Sequence, residues 1–173
     1  MKVRAARAGD LQRVAEIHVA GWRNAYATLI DASILAGLSV ETCLEAWKQR
    51  CAEPGAELWI AESVEGEILG FSRLLPASDD DLPEGFAEIS HVYLDPAHYE
   101  RGLGAVLLRH VLASAQGRGF EAVVLWVLEG NARARHFYER EGFAVDGARK
   151  ADPARRGPGV YEVRYRRALE EAG

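Results

Sequence analysis

Glu88-Ile-Ser-His-Val-Tyr-Leu-Asp-Pro-Ala-His-Tyr-Glu-Arg-Gly-Leu-Gly-Ala-Val-Leu-Leu-Arg109 reads as a strand, a short loop and a helix. Ile89, His91 and Tyr93 alternate with Glu88, Ser90, Val92 and Leu94, and β-branched and aromatic types are frequent. Asp95-Pro96 ends the strand, because proline donates no ladder hydrogen bond and restricts the residue before it. Past Gly102-Leu-Gly104 a helical period begins, with Leu103, Val106, Leu107, His110 and Val111 on one face. Glycines at such a junction let the backbone turn sharply and approach a ligand closely. The free N–H groups of the first helical turn, together with the helix dipole, favour an anion there. A diphosphate would fit. A tight strand-to-helix turn alone gives the same glycine spacing.

Outward from this unit the chain reads as one α/β domain. Its 173 residues are enough for a real core. A net charge of −5 argues against an extended nucleic-acid face. Met1-Lys-Val-Arg-Ala-Ala-Arg7 is too charged to begin a secretory signal. The longest apolar run, Ala122 to Leu128, is a buried strand and too short to span a membrane. A cytoplasmic protein is expected, with no nucleic-acid or membrane partner. Cys43 and Cys51 fall on one helix, too far apart for a local disulfide. No His cluster accompanies them, so they read as core thiols in a reducing compartment and no metal is expected.

The N-terminal side supplies a strand over Lys2 to Arg7, then Asp10 as an N-cap. Leu11, Val14, Ala15, His18, Val19 and Trp22 form one helical face. His18 reads as a core or supporting histidine. Trp22 and Tyr26, where that helix ends, either line a pocket or bury aromatic area. Leu35 to Cys51 is a second helical region with Ser39 as a cap, and Pro54-Gly55 ends it. Leu58 to Val64 and Ile68 to Leu75 pair as a hairpin around Glu65-Gly66. Pro76 to Glu84 is a polar loop. Its Asp79-Asp-Asp81 run is either a solvated loop or a rim that attracts cationic molecules.

On the C-terminal side the helix from Leu103 runs to about Gln116 and stops at Gly117-Arg-Gly119. Ala122 to Leu128 is an internal strand. Asn131-Ala-Arg-Ala-Arg-His-Phe-Tyr-Glu-Arg-Glu-Gly-Phe143 follows, with Asn131 as cap, Ala134, Phe137 and Tyr138 on one face, and Gly142 as terminator. Asp152 to Gly159 is a Pro/Gly/Arg-rich loop, and Val160 to Arg167 the last strand.

Two of these segments together resemble the GNAT superfamily of acetyl-coenzyme-A-dependent N-acetyltransferases. Glu88 to Arg109 is similar to the family's cofactor motif. The Asn-x-x-Ala-x-x-Phe-Tyr-x-x-x-Gly-Phe pattern of Asn131 to Phe143 is similar to its second signature. Their order and spacing agree, and so does the element order of almost the whole chain. The resemblance implies a single GNAT domain over residues 1–173. Its sheet would be mixed and mostly antiparallel, flanked by helices, with two central strands splayed apart.

In that fold the pantetheine arm of acetyl-coenzyme A would lie in the splay, bonded by main-chain groups of Val92, Tyr93 and Leu94. Amides of Glu100, Arg101, Gly102, Leu103, Gly104 and Ala105 would hold the diphosphate. Asn131, Phe137 and Tyr138 would contact the cofactor. The chain departs from the family at Tyr99, where Arg or Gln is usual. Glu100 adds a like charge near the diphosphate, with Arg101 as its counter-charge. Because amides carry most of the anion binding, the cofactor site is expected to persist.

For the chemistry, a backbone N–H near Val92 would stabilise charge on the thioester oxygen. Tyr138, a phenol protonated at neutral pH, would serve the leaving thiolate as an acid. Glu88 is the candidate base, with a solvated or salt-bridged carboxylate as the plain alternative. His91 has a suitable pKa but lies on the opposite face by simple alternation. A β-bulge, common in this strand of the family, would reset that parity. Bacterial ribosomal-protein N-terminal acetyltransferases carry a glutamate base where this chain has Trp126, which argues against that subclass.

The expected enzyme transfers acetyl from acetyl-coenzyme A to a primary amine by direct attack through a tetrahedral intermediate. The acceptor is expected to be a small molecule, with Trp22 and Tyr26 as substrate contacts and a compact cation suiting them. Two alternatives stay open: a catalytically silent acyl-coenzyme-A sensor, or an acetyltransferase for protein lysines or N-termini. The family often forms homodimers, and the last strand is a candidate contact.

Overall fold

Seven strands form one sheet in the computed structural model, which describes residues 1–99 and 102–169, Ala154 by its backbone alone. In chain order the elements are β1 (Lys2–Ala5), α1 (Leu11–Ala25), α2 (Ala32–Ala36), α3 (Val40–Cys51), β2 (Glu57–Glu62) and β3 (Ile68–Pro76). Then come β4 (Phe86–Leu94), α4 (Leu103–Gly117), β5 (Ala122–Leu128), α5 (Ala132–Arg140), β6 (Ala144–Ala151), α6 (Pro153–Arg156) and β7 (Tyr161–Ala168). The strand order is β1-β2-β3-β4-β5-β7-β6, antiparallel throughout except for β4 against β5. The mixed, mostly antiparallel sheet read from the sequence is therefore the one observed.

The exceptional pair positions the site. β4 and β5 stay in register only through Phe86↔Ala122, Ala87↔Val123 and Glu88↔Val124, then part. On its other edge β4 remains paired with β3 as far as Leu94. Asp95 N–H donates to Leu69 C=O, which makes those two a hydrogen-bonded pair. In an antiparallel ladder such pairs recur every second residue. Tyr93 is then bonded to Phe71, and the main-chain groups of Val92 and Leu94 turn away from β3 toward the splay.

A bulge at Ser90 corrects the simple alternation. Arg73 pairs with His91 and Leu74 with Ile89, so Ser90 has no partner. Ala87 and Ile89 pack with α4, and so do Val92 and Leu94 beyond the bulge. Glu88, His91 and Tyr93 consequently share the opposite face. The Ser90 hydroxyl accepts from Arg73 Nη1 at 3.3 Å and meets His91 Nδ1 at 2.9 Å.

Helices cover both faces. Leu107, Leu108, Val111, Leu112 and Ala115 of α4 are buried against one, joined by Phe137 and Tyr138 of α5. Each fully buried Leu or Val there contributes ~1.5–3 kcal/mol of hydrophobic stabilisation. Val106, read as part of that face, is 49 % exposed, because the buried stripe runs through Leu108 and Leu112 instead. On the other face Val14, Ile17 and Trp47 of α1 and α3 pack on Ile60 and Phe71.

Five local expectations change. Asp10 adopts helical angles, and its carboxylate makes no cap bond to α1. It accepts from Arg7 N–H at 2.7 Å and from the Arg4 guanidinium, and β1 ends early at Ala5. The region Leu35 to Cys51 divides at Gly37–Ser39 into α2 and α3, and Ser39 caps α3 by accepting from Thr42 N–H. Cys51 is exposed and Cys43 half-buried, because Trp47 fills the core side of α3. The Asp152 to Gly159 loop contains α6, capped by the Asp152 carboxylate.

Candidate active site

The splay opens into a cleft of about 1110 Å³. Every candidate residue within the described part of the chain lines it: Trp22, Tyr26, Glu88, Val92, Tyr93, Leu94, Gly102, Leu103, Gly104, Ala105, Asn131, Phe137 and Tyr138. Glu100 and Arg101 lie outside the described residues.

One half of the cleft is built from main chain. Gly102 takes φ +70°, a left-handed conformation that favours glycine, and starts α4 with no side-chain cap. The first N–H groups of α4 are thus left for a ligand, at the positive end of the dipole. Gly104 sits where a Cβ would stand 3.4 Å from Phe137 and 3.6 Å from Leu94, at ordinary contact distance, so a side chain larger than alanine would press on both. Asn131 uses its side-chain oxygen to accept from Ala134 N–H, leaving its N–H₂ as the group it can offer the cleft. Arg133, not singled out from the sequence, lies over the Tyr99 ring at 4.2 Å. It brings a cation to the loop where the family's usual Arg or Gln is missing.

Tyr138 packs against Phe137 and Phe143, with ring centroids 5.1 and 5.9 Å away. Burial holds its pKa above the ordinary phenol value, and its hydroxyl has no hydrogen bond among the described residues. Glu88 stands at the last β4–β5 pair, where the strands part. Burial, then the Asp79 charge, raises its pKa, while Lys150 opposes them. It has no hydrogen bond or ion pair among the described residues, so it is a desolvated carboxylate with proton affinity to spare.

The other half is built from side chains that meet over long sequence separations. His18 stacks on Tyr93 at 5.0 Å and 25° and accepts from Trp47 Nε1 at 3.0 Å. Tyr93 shares a 3.2 Å hydroxyl contact with Tyr26. A Cβ on Gly21 would fall 2.7 Å from the Tyr93 ring, so α1 needs glycine there to let the ring pass. Tyr93, expected to act through its main chain, also forms the wall beside Trp22 and Tyr26. The bulge brings His91 to Glu88's face, yet burial and nearby cations push its pKa well below 6.5. His91 is therefore neutral and a weaker base than a free imidazole.

The Asp79-Asp-Asp81 run is not a free rim. Asp79 and Asp81 bind Arg164 at 3.1 and 2.6 Å, and Asp79 accepts from Trp126 Nε1 at 3.0 Å. Arg164 also pairs with Asp146, and its side chain is only 5 % exposed. The run is an ionic clamp between the β3–β4 loop and β7. Its partner lies more than eighty residues away, so no local signal reveals it. The same is true of Arg156, which α6 lays over Trp22 at 4.3 Å. Among the described residues no group of three or more His, Cys, Asp or Glu could hold a metal ion, and no helix is long and apolar enough to cross a membrane.

Comparison with known proteins agrees with this geometry. The family described as the acetyltransferase (GNAT) family matches residues 11–143. A protein named probable N-acetyltransferase from Mycobacterium tuberculosis is 30% identical over 168 residues, 96% of this chain and 92% of its own. PaiA N-acetyltransferase from Thermoplasma acidophilum, solved with coenzyme A, superposes with TM-score 0.75 at 18% identity, covering 97% of this chain and 98% of its own. The yncA protein from Salmonella typhimurium, solved with acetyl-coenzyme A, gives 0.73 at 21% identity, covering 100% and 96%. At those identities the two structures show a shared fold.

Proposed function

The chain belongs to the acetyltransferase (GNAT) family and is an N-acetyltransferase, and from that premise we propose that it carries acetyl from acetyl-coenzyme A to the primary amine of a small molecule. The observation that carries this reading is the splay. After Glu88 and Val124, β4 offers the main-chain groups of Val92 and Leu94 to a cleft that also holds the uncapped start of α4. An extended amide-bearing arm ending in a diphosphate needs those two features together. The solved relatives that hold coenzyme A or acetyl-coenzyme A in this fold support the same donor. We read residues 1–173 as one domain.

The thioester supplies the activated acyl group, and the protein supplies position, charge and protons. Val92 N–H, facing the splay, is the donor for the developing oxyanion, a contribution worth ~3 kcal/mol. Glu88 takes the proton from the incoming ammonium, directly or through water. Tyr138 protonates the departing thiolate. A phenol with its pKa held high is fully protonated at neutral pH and has no competing partner. Trp22 and Tyr26 form the acceptor wall, and their aromatic rings suit a small amine.

Calorimetric titration with acetyl-coenzyme A, using adenosine diphosphate as control, tests the donor half. Stoichiometric binding that needs the pantetheine arm is expected, followed by amine-dependent thiol release. Absence of binding to folded, cofactor-free protein would overturn the reading.

A further inference from the structure

The acceptor wall carries more positive charge than its own residues neutralise. Arg156 lies over Trp22 at 4.3 Å and Tyr26 at 5.5 Å. Its Nη2 donates to Glu162 at 3.0 Å, while its Nε and Nη1 are buried without a partner among the described residues. Arg50 lies over Trp47 at 5.2 Å, has no ion pair among the described residues, and has its Nη1 buried without a partner. His18 connects the two, 5.8 Å from the Trp22 ring and 5.7 Å from the Trp47 ring. Arg156, Trp22, Tyr26, Glu162, His18 and Arg50 line the cleft, Trp47 lies buried behind it, and Arg50 also borders a second pocket beside β2. Arg155 adds a third cation to the cleft, only loosely paired with Asp152 at 3.9 Å.

Buried N–H groups without acceptors are costly, and more so when they carry charge. A water molecule would satisfy a hydrogen bond but leave the Arg50 charge unpaired, whereas the Arg156 charge already faces Glu162. The surroundings register that charge: after burial itself, Arg50 and Arg156 are what lower the His18 pKa. Arg50 in turn is lowered by burial, with Arg155 and Arg73 adding to it. The group that answers both deficits is an oxyanion, bound by charge-assisted hydrogen bonds. The Trp22 indole N–H, which leans on the Tyr93 hydroxyl without good hydrogen-bond geometry, is a further donor on the same wall.

We propose that the acceptor is an amine that also carries an oxyanion, of the carboxylate or phosphonate class, held by Arg156 and Arg50 while its amine faces Glu88. This rests on the acetyl-transfer reading and narrows it. It also reverses the expectation of a purely cationic acceptor: the carboxylates at Asp79 and Asp81 are committed to Arg164, and the open charge on the wall is positive.

The test compares matched amines with the full chain and acetyl-coenzyme A, following thiol release. The pairs are L-phenylalanine with phenethylamine, γ-aminobutyrate with propylamine, and 2-aminoethylphosphonate with ethylamine, with spermidine as an all-cationic control. At least one acid-bearing member should exceed its bare partner tenfold or more in kcat/KM, and the carboxylate and phosphonate arms tell the two anions apart. Arg156→Gln and Arg50→Gln should each shrink that advantage, with the loss falling in KM. Acetyl-coenzyme A titration of each variant reports whether it is folded. A second readout is calorimetric binding of the same acids to protein saturated with coenzyme A. Acids that bind in an Arg156-dependent way without being acetylated would uphold the anion site and sink the transfer reading. Bare amines or spermidine acetylated as well as the acids, with no acid binding, would uphold transfer and overturn this inference. Neither binding nor turnover would overturn both.

Discussion

The two halves of the cleft are made of different material. The donor half is main chain: a strand edge at Val92 and Leu94, an uncapped helix start at Gly102, and a close approach at Gly104. The acceptor half is side chain: a His18–Tyr93 stack, a Tyr26–Tyr93 hydroxyl contact, and Arg156 laid over Trp22. Main-chain sites are specified by where glycine, proline and caps stand, so one short stretch encodes them. Side-chain sites are specified by convergence, and their parts lie on α1, α3, β4 and α6. A family can keep the first half constant while the second half varies with the acceptor.

The contrast makes Tyr138 the largest single handle, since it is the donor-half side chain to which we assign a part in the chemistry. Tyr138→Phe should lower kcat by ~10²-fold, as expected for loss of a general acid. The acetyl-coenzyme A Kd should stay within a fewfold. Steady-state rates beside a calorimetric titration check this, and a kcat reduced less than fivefold would remove Tyr138 from the mechanism. Gly104→Val strikes the main chain itself. Its γ-methyl groups reach beyond a Cβ that already touches Phe137 and Leu94; such overpacking costs ~1–3 kcal/mol, so affinity for acetyl-coenzyme A should weaken by up to about 10²-fold. Asn131→Gly, which alters a side chain in the same half but leaves the strand edge and α4 start alone, should cost far less affinity. If Asn131→Gly proves the more damaging, the division between main-chain and side-chain halves is wrong.

That division also explains what was legible in the sequence. Gly102, Gly104, Asn131 and Gly142 are local signals, and the β4–α4 and α5 units follow from them. β5 falls on Ala122–Leu128 because a continuously apolar run between two turns has few other readings. The bulge at Ser90 carries no glycine or proline to announce it. It is decided by which side chains the two faces can bury. Arg164 finds Asp79 and Asp81 across more than eighty residues, and α6 folds back on Trp22 from the far end of the chain. Charge pairing at that distance depends on the finished fold, so the clamp and the cationic wall stay invisible until it exists.

The acceptor wall should reveal itself in the pH dependence of stability. Burial, aided by Arg50 and Arg156, lowers His18 to about 3. An unfolded chain binds a proton there below about pH 6.5, while the native chain does not. Between those two values the unfolded state holds more protons, so stability falls as pH falls. From pH 7 to pH 5 the loss from His18 should reach ~2 kcal/mol, and His91 adds to it in the same direction. Urea denaturation at the two pH values measures it. His18→Asn, which keeps an acceptor for Trp47 Nε1, should flatten the slope by roughly His18's share. An unchanged slope would place the titrating group elsewhere, and the wall would not be the neutral stack the geometry describes.

Glu88 stands where the halves meet, and its substitution tests both at once. Its effect on rate should be the smallest of these. The cleft is large enough for water to relay a proton, so Glu88→Gln should lower kcat/KM by only about tenfold, below the usual range for a positioned base. The shape of the pH profile is more telling than the size of the drop. Burial and Asp79 raise the Glu88 pKa, so wild-type activity should fall on the acid side at a pH above the ordinary carboxylate value, and the variant should lose that limb. Stability should move the other way. A carboxylate whose folded pKa is raised binds its proton more tightly when native, so its ionisation destabilises the fold as pH rises through that window and beyond. Gln cannot ionise, so the variant should melt higher than wild type at pH 7 while turning over more slowly. Slower and less stable would mean that Glu88 holds the strand junction together. Slower and more stable would mean that the junction keeps an unpaired carboxylate at a cost in stability, for the proton it removes.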